Sequence, residues 1–242
     1  MPAPREAAPT GGTAGPPSGR SRDLSEALLR LDAITRRLRR DCPWDREQDE
    51  RSIVPHTVEE AYELADAAHH GDDAALLDEL GDVLFQVYFL ALLLDERGAG
   101  SLLEVADGCR EKLVRRHPHV FGDAEAHTAG EVLRSWGRIK REDERGGELF
   151  GRLPETLPAT LYALKLRRRA ASAGVEREPP RVEDAALRLR EAGDREELFA
   201  AAGLLLMAAV AAAGEAGVDP ELALREAAES YRREIEAADD LG

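Results

Sequence analysis

Cysteine is almost missing from this chain. Cys42 and Cys109 are the only two in 242 residues, too few for a disulfide framework, and both thiols are expected to stay reduced in a cytoplasmic protein. Long apolar runs are scarce as well. The stretch from Leu84 to Leu94 is strongly apolar, but Gln86 interrupts it and it falls short of the ~18–20 residues that span a bilayer. The N-terminus carries no apolar signal core, so no membrane association is expected. Lysine appears only as Lys112, Lys140 and Lys165; the other basic residues are arginine. With 33 basic against 48 acidic residues the net charge is −15. That excludes the broad basic field a nucleic-acid binder needs. A nucleotide substrate requires only a local basic pocket and a metal, and stays open. Alternating strand patterns and hairpin turn signals are absent too, so the chain reads as all-α.

What is present is a series of helical patterns after a Pro/Gly/Ala/Ser-rich tail, which is expected to be disordered. Leu24, Leu28, Leu31, Ile34 and Leu38 recur at helical spacing, with Asp23 as a candidate cap and an arginine cluster at the far end. Cys42-Pro43-Trp44-Asp45 reads as a loop. Helices are expected over about 54–70, 73–97, 102–116 and 130–144. A Gly- and Pro-rich linker follows over 146–158, and then helices near 159–173, 182–213 (broken near Gly193) and 220–238. The organisation expected is a tail over 1–22, a first helical domain over 23–145, the linker, and a second domain over 159–242. A weak internal repeat sets Glu79–Phe85 against Ala201–Met207. The second copy keeps the apolar skeleton and lacks the acids.

The chemistry lies in two acidic pairs. Glu60 and Glu63 stand three apart, as do Glu79 and Asp82, so each pair projects from one helix face across about 4.5 Å of rise. The break at Gly71–Asp73 is short, which makes the two helices antiparallel neighbours and lets four carboxylates converge. A solvated acidic face is the ordinary alternative in so acidic a chain. It fits less well for Glu79 and Asp82, whose helix is apolar nearly all round and is expected to be buried. Buried carboxylates require a cationic partner. One arginine does not pair four of them, and neither helix has the Glu-x-x-His pattern of a di-iron bundle. Oxygen-only ligands suit Mg²⁺, or else Mn²⁺, and such centres commonly serve phosphate chemistry.

A polyphosphate also needs non-metal cations. Lys112 and Arg116 are four apart with Arg115 beside them, and Trp136 and Lys140 are four apart further on. The indole can stack on a base and the lysine can reach a phosphate. His117 and His119 read as capping and packing residues.

Cys42-Pro43-Trp44-Asp45-Arg46-Glu47-Gln48, Glu59-Glu60-x-x-Glu63, Glu79-x-x-Asp82, Lys112-x-x-Arg115-Arg116-His117-Pro118-His119-Val120-Phe121 and Trp136-x-x-x-Lys140 follow one another in this order. Together they resemble the MazG family of all-α nucleoside triphosphate pyrophosphohydrolases over about residues 24–145. The second half resembles a second MazG-like domain more loosely. The resemblance implies a helical bundle of two tandem repeats that converts an NTP or dNTP to its monophosphate and pyrophosphate with Mg²⁺. It implies Glu60, Glu63, Glu79 and Asp82 as metal ligands, with Glu59 orienting or deprotonating the attacking water. It implies Lys112, Arg115, Arg116, Trp136 and Lys140 on the substrate, and a homodimer. The second copy, with Ala201 and Leu204 in place of acids and Tyr231 in place of Lys112, is expected to be structural. A non-catalytic nucleotide-binding sensor or scaffold module is the alternative.

Overall fold

A computed structural model describes residues 19–144, 150, 153–175 and 177–239, without the side chains of 133–134, 140–144 and 239. Among these residues the secondary structure is eleven helices and no strand. The expected tail lies outside the described residues up to position 18, and helix begins at Gly19. The contacts of the described residues form two units, which meet between Cys109 and Arg110.

The first unit holds α1 (Gly19–Asp41), α2 (Pro43–Glu47), α3 (Glu50–His70), α4 (Asp73–Glu96) and the start of α5 (Leu102–Arg116). Asp23 lies inside α1 and is not its cap. The segment after Cys42 is a short helix rather than a loop, because Pro43 supplies the fixed φ of a first helical turn. α3 starts four residues earlier than its apolar pattern indicates. Asp49 accepts from the amides of Arg51 and Ser52, and Ser52 Oγ accepts from the Asp49 amide, closing a capping box.

α3 and α4 form the principal hairpin of this unit. Gly71 ends α3 at φ 70°, a left-handed conformation that glycine adopts without steric cost. Asp72 then caps α4 through the amides of Ala74 and Ala75. Ile53, Phe89 and Leu93 make the buried core of the hairpin, with Phe85 and Leu90 packed against it. Each such side chain removed from water contributes roughly 1.5–3 kcal/mol. α4 is not buried all round as expected: Leu77 is 75% exposed, and Leu80, Leu84 and Val87 are also exposed. Its buried residues all lie in the second half: Gln86, Tyr88, Phe89, Ala91, Leu92 and Leu93.

Arg39 locks α1 and α2 onto the far end of α4. Its guanidinium donates to the carbonyl oxygens of Asp45 and Gln48 and bidentately to Glu96, and lies 5.9 Å from the Phe89 ring centre.

The second unit begins in α5 and continues with α6 (Pro118–Phe121), α7 (Ala129–Glu144), α8 (Ala159–Ser172), α9 (Val182–Glu191), α10 (Arg195–Glu215) and α11 (Pro220–Asp239). α6 is a short turn that the sequence pattern does not announce. Much of the linker expected over 146–158 lies outside the described residues. The Leu153–Pro158 portion carries no helix. α10 packs on α8, α9 and α11, burying Ala201, Ala208, Val210 and Ala211. By length and composition α10 is apolar enough to cross a bilayer, contrary to the sequence expectation. The run from Leu198 to Gly214 contains no charge. Its many alanines make it a close-packing helix with low side-chain bulk.

Candidate metal and nucleotide site

The α3–α4 hairpin sets the geometry. Ile53, Thr57, Glu60 and Leu64 recur at helical spacing along α3. Ile53 packs in the core with Phe89 and Leu93, and Thr57 Oγ1 lies 3.4 Å from the buried amide side chain of Gln86. One turn further, Glu60 meets Glu79 and Asp82. Each of the three offers an oxygen within 4.8 Å of the others. Thus the apolar contacts at one end of the hairpin fix the register that brings the carboxylates together at the other.

These groups sit at the rim rather than in the interior. Glu60 and Glu79 are half-buried and Asp82 is exposed. Glu79 Oε2 is nevertheless fully enclosed and has no hydrogen-bond partner, a costly condition for a carboxylate oxygen. Desolvation, followed by the charges of Asp82, Glu63, Glu79 and Glu59, pushes Glu60 above its ordinary value. Desolvation, with Glu63 and Asp82 next, does the same to Glu79. Clustered acids that raise each other's pKa attract a cation. The donor set is all oxygen and carries high negative charge. With the orphaned Glu79 oxygen, it fits a hard divalent ion.

The structure therefore unites three of the four expected ligands. Glu63 is exposed and outside the convergent set, yet close enough for its charge to act on both Glu60 and Glu79. Glu59 is exposed, with Oε2 3.6 Å from His56 Nδ1. The candidate substrate residues Lys112, Arg115, Arg116, Trp136 and Lys140 belong to the second unit. Lys112 and Arg115 are exposed. Arg116 is buried, and its guanidinium lies 5.6 Å from the Trp136 ring centre; the two form a stacked cation–π pair. Lys140 is on α7, and its side chain lies outside the described residues. His117 Nδ1 lies 2.6 Å from the Leu113 carbonyl oxygen, in line with a capping role.

Sequence reasoning passed over one pairing. Trp44 and His56 stand edge to face, ring centres 5.9 Å apart. The available signal was the i, i+4, i+7 stripe His56–Glu60–Glu63, which places the imidazole on the side of α3 that carries the acids.

The second unit also holds a packed helix pair, α9 and α10. Asp194 caps α10 through the Glu197 amide as Asp72 caps α4. The offset that sets Asp72 against Asp194 sets Glu60, Glu63, Glu79 and Asp82 against Val182, Ala185, Ala201 and Leu204. All four acids are replaced by apolar residues.

A protein-family profile described as "MazG nucleotide pyrophosphohydrolase domain" matches residues 48–121, a span that includes all four acids. A nucleoside triphosphate pyrophosphohydrolase of Escherichia coli (strain K12) is 37% identical over 220 residues, 84% of this chain and 84% of the relative. A protein of Thermotoga maritima named nucleoside triphosphate pyrophosphohydrolase/pyrophosphatase MazG is 34% identical over 207 residues, 83% of this chain and 80% of the relative. An uncharacterized 26.1 kDa protein of Streptomyces cacaoi is 40% identical over 224 residues, 90% of this chain and 86% of the relative. Likeness of this extent across nearly the whole of both chains, together with the acid cluster inside the matched segment, places the chain in the MazG family.

Proposed function

We propose that this chain is a nucleoside triphosphate pyrophosphohydrolase. It opens the α–β anhydride of an NTP or dNTP with water and releases the monophosphate and pyrophosphate. The observation that carries this reading is the convergence of Glu60, Glu79 and Asp82, with its enclosed and unpartnered Glu79 oxygen, inside a family whose named members carry that activity.

Glu60, Glu79 and Asp82 would hold Mg²⁺, or Mn²⁺ in its place, with Glu63 joining from the adjacent turn. A divalent ion bound there supplies neutralisation of phosphate charge and a more acidic water. The carboxylates themselves fix where the phosphates lie, since an acid cluster accepts a polyanion only with cations between them. Glu59 is the residue assigned to orient or deprotonate the attacking water. Lys112, Arg115 and Lys140 are assigned to phosphate oxygens through their motifs, and Trp136 to the nucleotide with Arg116 stacked on it. The activity is assigned to residues 23–145, and 159–242 is read as a degenerate copy. The exposed apolar row on α4 supports a homodimer, and a nucleotide substrate with reduced thiols supports a cytoplasmic site of action.

The test is incubation with Mg²⁺ and each NTP and dNTP, with products separated as pyrophosphate or orthophosphate. Glu60→Ala and Asp82→Ala run in parallel. We expect monophosphate and pyrophosphate, reduced by orders of magnitude in both variants while circular dichroism shows them folded. Direct release of orthophosphate would overturn the bond assignment. Binding of Mg²⁺–nucleotide without turnover would instead mark a sensor.

A further inference from the structure

α7, the helix that carries Trp136 and Lys140, packs on α8. The two helices meet at small residues. Gly137, next to Trp136, faces Ser172 at the end of α8, and a Cβ at position 137 would lie 3.5 Å from the Ser172 Cβ. That is ordinary van der Waals contact, so a methyl fits there, whereas a bulky pair of side chains would hold the helices apart. Ser172 donates from Oγ to the Arg169 carbonyl oxygen at 3.0 Å, so its hydroxyl is satisfied within α8. Arg169 donates from Nη1 to the carbonyl oxygen of Phe150, which pins the chain on its way from α7 to α8. α8 is itself held at three levels. Thr160, in its first turn, donates to Glu221 of α11, a buried carboxylate that also accepts from Arg225 at 2.9 Å. Leu164 is buried against Gly214 of α10, where a Cβ would come within 2.9 Å of the Leu164 Cδ1. Arg167 pairs with Glu215 at 2.9 Å. α8 is thus fixed to α10 and α11, and its last turn carries α7. The copy without acids supplies this support.

We propose that Gly137 and Ser172 are positioning residues for the nucleotide, and that the degenerate copy serves the reaction as the seat of α7. This rests on the pyrophosphohydrolase reading, which puts Trp136 on the nucleotide and Lys140 on its phosphates. A helix that offers a flat ring and a flexible ammonium binds well only if its backbone is already in place, because ordering it at the moment of binding costs affinity. Gly137 and Ser172 act through Trp136 and Lys140, so disturbing their contact should appear in KM more than in kcat. The acids on α3 and α4 are placed by the core of their own hairpin, so the affinity for Mg²⁺ alone should not change.

The experiment widens the contact and then locks it. Ser172→Leu should raise KM for each hydrolysed NTP by about tenfold, with kcat changed far less. Calorimetry should show the same loss in binding of Mg²⁺–α,β-methylene-ATP and no loss in binding of Mg²⁺ alone. Ser172→Ala, which keeps the Cβ at the contact, should behave as wild type. In the Lys140→Ala protein, Ser172→Leu should cost much less than it does by itself, since α7 has already lost part of what it positions. Full additivity would overturn the seat, as would an unchanged KM in folded Ser172→Leu. Loss of Mg²⁺ affinity in step with KM would overturn it too, by marking general damage. Where Ser172→Leu does not fold, a second protein decides. A Cβ separation of 3.5 Å is within disulfide range, so Gly137→Cys with Ser172→Cys should cross-link on oxidation. The oxidised form should bind Mg²⁺–α,β-methylene-ATP at least as tightly as the reduced form. Failure to cross-link, or weaker binding once linked, sinks the seat alone. Weakened analogue binding in Ser172→Leu, beside a wild type that turns over no NTP, keeps the seat and sinks the pyrophosphohydrolase reading.

Discussion

Glu60 is placed where folding works against its charge. Desolvation and the neighbouring acids raise its pKa in the folded chain, so the folded state holds the proton more tightly than the unfolded state does. The metal-free protein is then most stable below the unfolded-state pKa, and this contribution is lost as pH rises through the raised folded value. Glu60→Gln removes the cost. We expect the variant, without metal, to melt at a higher temperature than wild type at pH 7 and at an equal temperature near pH 4. Addition of Mg²⁺ should raise the wild-type Tm by mass action and move the variant much less. A melting temperature that drops in Glu60→Gln at pH 7 would mean the carboxylate is a structural partner and not a strained ligand. The same residue scale separates the tryptophans. Both are polarisable rings in a motif, and nothing in the sequence says that Arg116 occupies the neighbourhood of one of them.

At the scale of the element, the α3–α4 hairpin is where the sequence is most readable. Acids three apart, a Gly-Asp break and helical apolar spacing together specify two antiparallel helices, and these are local properties. The depth of the acids is not local. Composition alone makes α4 a buried helix, whereas the structure buries only its second half against Ile53 and leaves Leu77 and Leu80 open. Start positions also escape pattern reading, because α3 begins at a capping box and not at its first apolar residue. The caps give a paired prediction. Asp72→Ala and Asp194→Ala should each cost about 1 kcal/mol of stability, read as a Tm lower by a few degrees. Only Asp72→Ala should also weaken Mg²⁺ binding, because the first turns of α4 lead directly into Glu79. Equal loss of metal affinity in Asp194→Ala would detach the metal from this hairpin.

For the whole molecule, the two helix pairs pose one question of burial. Each exposes apolar residues in the single chain: Leu77 and Leu80 on α4, Phe199 and Leu206 on α10. A net charge of −15 keeps such a chain dispersed but does not lower the free energy of wet leucine. The α4 row lies on the helix that carries Glu79 and Asp82, so covering it with a second copy would also stiffen the ligands. Leu77→Glu adds a charge at the most exposed position of that row without touching the buried core. Light scattering behind size exclusion should show the wild type as a dimer and Leu77→Glu as a monomer. The monomer should keep its helical circular dichroism, because Leu77 is 75% exposed within one chain and contributes little to its fold. Its half-saturating Mg²⁺ should rise, since α4 would lose the support of the second copy. A monomeric wild type would leave the α4 row without this role. A dimeric Leu77→Glu would move the interface to another face, and Phe199→Glu on α10 would then be the substitution that separates the copies.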